Sequence, residues 1–193
     1  MDALSDTTHR ERLCALADLT NLPRLGLRGR TAAERLAAEG FRPPDAPNRL
    51  TRADSGETLL RLSQGEYLLL GSPADRGARV RALEDALPKA GENALYFLPR
   101  QDSHAWFRLG GPRRFEVMAK LCGVDLSPAA FAADAVAQTS VARINAVVAN
   151  DGRGGALHLL FDRPSAVFFR EALLDAMREP SAPRNRETAC LVG

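Results

Sequence analysis

The sequence predicts an α+β fold built as two tandem split β-α-β units with mostly antiparallel sheet. Three observations predict it. The order strand, glycine, helix, loop, strand, strand, helix runs through both halves of the chain. Shifting the first half by 82 positions lays Leu25, Leu27 and Gly29 on Phe107, Leu109 and Gly111, and Ala33, Leu36 and Ala37 on Phe115, Met118 and Ala119. A shift of 91 lays Tyr67–Leu70 on His158–Phe161, and Ser72-Pro73 on Arg163-Pro164. Self-similarity at a nearly fixed offset is the mark of a duplicated unit. Each unit matches the ferredoxin-like half-domain.

The elements follow in order. Residues 8–19 carry Leu13, Leu16, Ala17 and Leu19 near helical spacing and predict a short helix, so residues 1–20 form an N-terminal helical segment. The first unit spans 21–90. In it, 22–29 alternates Leu25 and Leu27 with polar or small residues and predicts a strand. Residues 30–39 predict a helix ending at Gly40, and the three prolines of 41–50 make that stretch irregular. Strands are expected at 57–62 and 66–70 with Ser63-Gln64-Gly65 as the turn, then a helix over 72–87 with Val80, Leu83 and Leu87 as its apolar stripe. Residues 88–93 read as a loop between the units.

The second unit spans 94–179. Its first strand puts Ser103, Ala105, Phe107 and Leu109 on one face and His104, Trp106 and Arg108 on the other. Gly110 and Gly111 end it. Pro112 suits the first turn of a helix whose stripe is Phe115, Met118, Ala119 and Cys122. Residues 136–149 read as a strand or a bent pair of strands, 150–155 as a hairpin loop, 156–161 as a strand and 162–179 as a helix. A tail, 180–193, follows.

Composition narrows the function classes. The chain has 193 residues, 45% hydrophobic, enough to bury a core without disulfide or metal. A net charge of +2 with scattered arginines argues against nucleic-acid binding, and no apolar run approaches the ~20 residues of a membrane span. Cys14, Cys122 and Cys190 are too few and too widely spaced for a disulfide framework or a zinc site, which points to a reducing compartment. The polar N-terminal residues do not form a signal peptide, so a cytoplasmic location is expected.

Candidate chemistry is sparse. Asp102, Ser103 and His104 do not make a hydrolase triad, because triad members converge from distant positions and adjacent strand residues point to opposite faces. The double glycine before Pro112 matches neither G-x-G-x-x-G nor G-x-x-x-x-G-K-[ST], so a sharp strand-to-helix turn is expected there. His9, His104 and His158 lack ligand-like spacing, and His158 is expected to face solvent or a subunit. Cys122, and Cys14 with it, are expected to act as small hydrophobes. The better candidates are binding residues. Trp106 beside His104 and Arg108 has the composition of an interface anchor, or of a solvent-exposed strand face. Gln138, Ser140, Arg143 and Asn145 have the pattern of an edge strand that binds a partner, or of any sheet with one wet face. The candidate interface is therefore His104, Trp106, Arg108, Arg143 and Asn145, with no catalytic, cofactor-binding or metal residue assigned.

One resemblance covers nearly the whole chain. LPRLGLRG, Pro47-Asn48, SQGEYLLLG, QDSHAWFRLGGP, KLCGVDL, Phe131 and VAQTSVARINA occur in order from about residue 20 to 177. Together they resemble the gamma subunit of heterotetrameric sarcosine oxidase. The resemblance implies a fold related to the aminomethyltransferase (glycine-cleavage T-protein) family. It also implies membership of a complex that oxidatively demethylates sarcosine to glycine with hydrogen peroxide and, with tetrahydrofolate, methylenetetrahydrofolate. The partners it implies are the alpha, beta and delta subunits. FAD, FMN, NAD, tetrahydrofolate and zinc are expected on those partners and none on this chain, whose role would be assembly and stabilisation. The rival expectation is a stand-alone T-protein-like folate-binding or one-carbon-transfer protein, which rests on fold alone.

Overall fold

A computed structural model describes residues 14–86 and 95–178. The strands are β1 Ala15–Asp18, β2 Arg24–Gly29, β3 Arg49–Arg52, β4 Thr58–Arg61, β5 Glu66–Leu70, β6 Leu95–Pro99, β7 His104–Gly110, β8 Val136–Val141, β9 Ile144–Asp151 and β10 Ala156–Asp162. The helices are α1 Ala32–Ala38, α2 Ala78–Ala86, α3 Arg114–Leu121 and α4 Ala166–Met177, the last entered through a 3-10 turn at Arg163–Ser165. The strands form two five-stranded sheets, β3-β4-β5-β2-β6 and β1-β7-β10-β9-β8. Every neighbouring pair is antiparallel. The fold is α+β, as the repeat predicts.

The two sheets have matching orders. In the first, β2 and β4 run parallel with antiparallel β5 between them, which is a split β-α-β arrangement. β6 follows α2 and completes the sheet beside β2. β7, α3, β8, β9, β10 and α4 repeat the plan, but the place equivalent to β6 is filled by β1 from the other end of the chain, paired to β7 with Leu16 opposite Leu109. The expected helix over 8–19 is therefore a strand at 15–18, and residues 8–13 lie outside the described residues. Leu13, Leu16 and Leu19 gave a helical spacing, but over so short an apolar run the two periods are hard to tell apart. β6, numbered with the second unit, belongs to the first sheet. β3 begins at Arg49, inside the stretch expected to be irregular. The loop expected at 88–93, the tail at 180–193 and Cys190 lie outside the described residues.

Packing makes four layers. α1 and α2 cover one side of the first sheet, where Leu36, Val80 and Leu83 meet Leu25, Leu27, Leu59, Tyr67 and Leu69. α3 and α4 cover the second sheet, where Val117, Met118, Phe169 and Leu173 meet Phe107, Leu109, Leu157 and Phe161. Phe161 stacks on Phe169 with centroids 3.8 Å apart. The remaining faces close on each other, with Leu50, Leu60, Leu68 and Leu70 opposite Trp106, Val136, Ala149 and Leu160. Side chains of this size contribute roughly 1.5–3 kcal/mol each when fully buried.

Local chemistry sets the element ends. α2 starts at Ala78 rather than 72, because Asp75 accepts from the N–H of Gly77 at 2.8 Å and of Arg79 at 3.0 Å, while Gly77 turns the chain at φ 73°. A Cβ on Gly77 would sit 2.4 Å from Pro23 Cδ. On α3 the buried positions are Val117 and Met118, not the expected Phe115 and Ala119, which are half-buried and exposed. Cys122 is buried just past its end, and Cys14 is buried as well.

The two sheets are joined at both sides. At one side Val136 N–H donates to Asn48 O and Leu50 N–H to Asp134 O, each at 2.9 Å. At the other the chain passes twice between sheets, through 19–23 and 100–103, and Arg24 ties the two passages. Its side chain is fully buried, and among the described residues its hydrogen bonds all go to backbone carbonyls rather than to a carboxylate. It donates to Thr20 O and Leu22 O at 2.9 Å, Arg100 O at 3.1 Å, Gln101 O at 3.0 Å and His104 O. Burial pulls its pKa down to about 10.

Candidate functional site

The alternation read from the sequence holds: His104, Trp106 and Arg108 share a face of β7. Their cross-strand partners on β10 are Asp162, Leu160 and His158. What covers that face differs along its length. The first sheet covers its middle, so Trp106 is 2% exposed and is not a surface anchor. Its indole N–H donates to His158 Nδ1 at 3.0 Å. His158 is buried too, which overturns its expected exposure. Burial, then Arg108 and Arg52, pushes its pKa down to about 3, so it is neutral. With Nδ1 accepting, the ring proton sits on Nε2, which lies 3.7 Å from Asp151 Oδ2. Asp151 accepts from Arg52 and from the Gly154 N–H at 3.0 Å. Arg108 is half-buried and donates to Gly154 O at 2.9 Å. Arg108 also lies close enough to Arg52 of the first sheet to depress its pKa, which puts it beside the seam between the sheets.

Beyond the first sheet's edge the face opens into a cleft of about 640 Å³ lined by His104, Gln138, Asn145, Val147, Leu160 and Asp162, among others. This cleft brings together two of the five candidates, His104 and Asn145. Gln138 Nε2 donates to Asn48 Oδ1 at 3.0 Å and Leu62 O at 2.7 Å, which ties this wall to the first sheet. β8 is the sheet's edge strand, and Ser140 and Asn145 stand opposite each other on the β8–β9 hairpin with both exposed. Arg143 is exposed at the tip, where Ala142 and Arg143 take φ 49° and 66°. Two successive positive φ angles are the signature of a tight hairpin turn, which resolves the expected strand or bent pair into two strands.

Ser103 Oγ and His104 Nδ1 do hydrogen bond, at 2.8 Å. Ser103 precedes the strand, so pleat alternation does not apply to it. Burial, then Arg100 and Arg24, lowers the His104 pKa, which favours the neutral ring. Among the described residues no carboxylate hydrogen bonds to that ring. Asp102 instead lies 3.4 Å from an Arg163 nitrogen. The Gly110-Gly111 pair makes the expected strand-to-helix turn, with Gly111 at φ 96° and its carbonyl accepting from Arg114. Among the described residues no cluster of His, Cys, Asp and Glu is arranged to hold a metal, and no helix is long and apolar enough to cross a membrane.

Two sets of residues escaped the sequence reading. Arg24 carried a usable signal, being a lone charge inside the apolar run Leu22–Leu27. Arg52 and Asp151 carried none, because they meet only when the two sheets stack.

The comparisons with known proteins fit this geometry. The chain is similar to one in the heterotetrameric sarcosine oxidase from Corynebacterium sp. U-96, solved in complex with pyrrole 2-carboxylate. The TM-score is 0.71 with 27% identity, covering 89% of each chain. The resemblance read from the motifs therefore holds across nearly the full fold. The chain also shares its fold with aminomethyltransferase T of the glycine cleavage system from Bartonella henselae, at TM-score 0.61 and 16% identity, covering 91% of this chain and 50% of that one. It spans about half the length of that protein. No family model and no curated protein matches the sequence.

Proposed function

We propose, taking the likeness to a sarcosine oxidase chain as premise, that this protein is the non-catalytic gamma subunit of a heterotetrameric, flavin-dependent sarcosine oxidase. The complex would oxidise sarcosine to glycine in the cytoplasm, with FAD, FMN, NAD, tetrahydrofolate and zinc carried by its alpha, beta and delta subunits. The observation that carries this reading is mutual coverage: 89% of each chain superposes, so the likeness is between chains of similar extent rather than between a fragment and a larger enzyme. The work of the chain is to bind. His104 and Asn145 in the open cleft, with Arg143 at the adjoining hairpin tip, form the contact surface for a neighbouring subunit. Trp106 and Arg108 support it from inside, Trp106 by fixing β7 against β10 and Arg108 by fixing β7 against the β9–β10 turn.

The test is co-expression with candidate alpha, beta and delta chains, followed by sizing and a flavin absorbance scan. A flavin-bearing complex that retains this chain supports the proposal, and a flavin-bearing complex that forms without it overturns it. The T-protein-like fold keeps a folate-binding protein as the rival. Titration of the isolated chain with a reduced folate separates them, because tight binding by the chain alone favours the rival.

A further inference from the structure

We infer that a second pocket, where β3 meets the β9–β10 turn, is a binding site for a small oxyanion. It encloses about 250 Å³ and is lined by Arg42, Thr51, Arg52, Asp134, Asp151 and Arg153, among others. Three guanidiniums meet two carboxylates there, and one carboxylate is already committed. Asp151 is 1% exposed and is held by Arg52 and the Gly154 amide. Behind it Arg108 adds a further positive charge through its contact with Gly154.

The guanidinium hydrogen-bonding capacity is largely unused. Arg52 Nε is buried and makes no hydrogen bond. The side chains of Arg42 and Arg153 have no hydrogen-bond or ion-pair partner among the described residues. Burial, then the like charges of Arg108 and Arg153, lowers the Arg52 pKa, so the walls repel one another. An oxyanion between them relieves that repulsion and accepts several N–H donors at once, in the forked geometry guanidinium offers. A cation would worsen the repulsion, whereas a phosphate or a small carboxylate fits within the volume. The contact residues named above, His104, Arg143 and Asn145, do not line this pocket, so failure of anion binding by the isolated chain leaves the subunit reading intact.

The experiment titrates inorganic phosphate and acetate, at constant ionic strength and against a chloride control, into the full chain. Calorimetry and thermal unfolding give the readout. The expected result is a saturable rise in unfolding temperature that chloride does not produce. Arg42→Gln and Arg153→Gln, both on exposed side chains, each weaken phosphate binding about tenfold. Phosphate and acetate acting no differently from chloride would overturn the inference, as would both variants binding like the wild type. A carboxylate carried on a neighbouring subunit shares this chemistry with a free anion. Phosphate binding that persists in the assembled complex marks the free anion, and binding lost on assembly marks the neighbour's carboxylate.

Discussion

Trp106 and His158 lie diagonally across β7 and β10, joined by an indole N–H that donates to Nδ1 at 3.0 Å with ring centroids 5.6 Å apart. The pair sits where two sheets press together, so its chemistry is governed by dehydration rather than by solvent.

That dehydration fixes a pH response. The folded His158 pKa is near 3 and the unfolded value near 6.5, so between those limits the unfolded chain binds the extra proton. Stability from this group is complete above pH 6.5 and falls as pH drops through the window, by up to about 1.4 kcal/mol per unit. Urea denaturation from pH 4.5 to 7.5 should show a steeper acid loss in wild type than in His158→Phe. At pH 7.5 the same substitution should cost about 1–3 kcal/mol, because the Trp106 N–H loses its acceptor.

Trp106 and the hairpin residues should separate cleanly. Trp106→Ala is expected to cost about 3–5 kcal/mol of folding stability, as a large side chain removed from a core. Arg143→Ala and Asn145→Ala should change stability by less than about 0.5 kcal/mol yet reduce recovery of partner subunits in a pull-down. Recovery equal to wild type with both hairpin variants would remove the cleft from the contact surface.

Arg24→Met should be among the most damaging single changes, at about 3–5 kcal/mol, since five carbonyl contacts vanish at once inside the fold. Arg24→Lys should rescue little, because one ammonium cannot reach carbonyls spread over both passages. Equilibrium denaturation of both variants checks this.

The hairpin tip offers the opposite sign. Replacing Ala142-Arg143 by Asn-Gly puts residues tolerant of positive φ where φ is 49° and 66°, and should stabilise the chain by about 0.5–1 kcal/mol. Thermal unfolding measures the gain. A simultaneous loss of subunit recovery would locate the contribution of Arg143 in binding.

The sequence revealed which residues share a strand face but not what lies over that face. Leu25 and Leu27, Phe107 and Leu109, and the glycines after them made the duplication readable, because a repeated unit repeats its apolar period. The same alternation grouped His104, Trp106 and Arg108 correctly and then misjudged Trp106, since a period of two is silent about a second sheet stacked above. His104 and Asn145 do meet in one cleft, although neither carries a motif. β1 was misread because Leu13, Leu16 and Leu19 fit a helix locally, and only its pairing with β7, distant in sequence, makes it a strand.

The placement of β1 has a consequence for biosynthesis. Ala15–Asp18 leaves the ribosome well before the strand it must pair with, so the N-terminal half can assemble its own sheet while this short segment waits. Closing so long a span is slow compared with forming local hairpins. Late capture of that waiting segment would then lock both halves into one cooperative unit, and a bulky fusion placed just ahead of it should delay maturation rather than alter the finished protein.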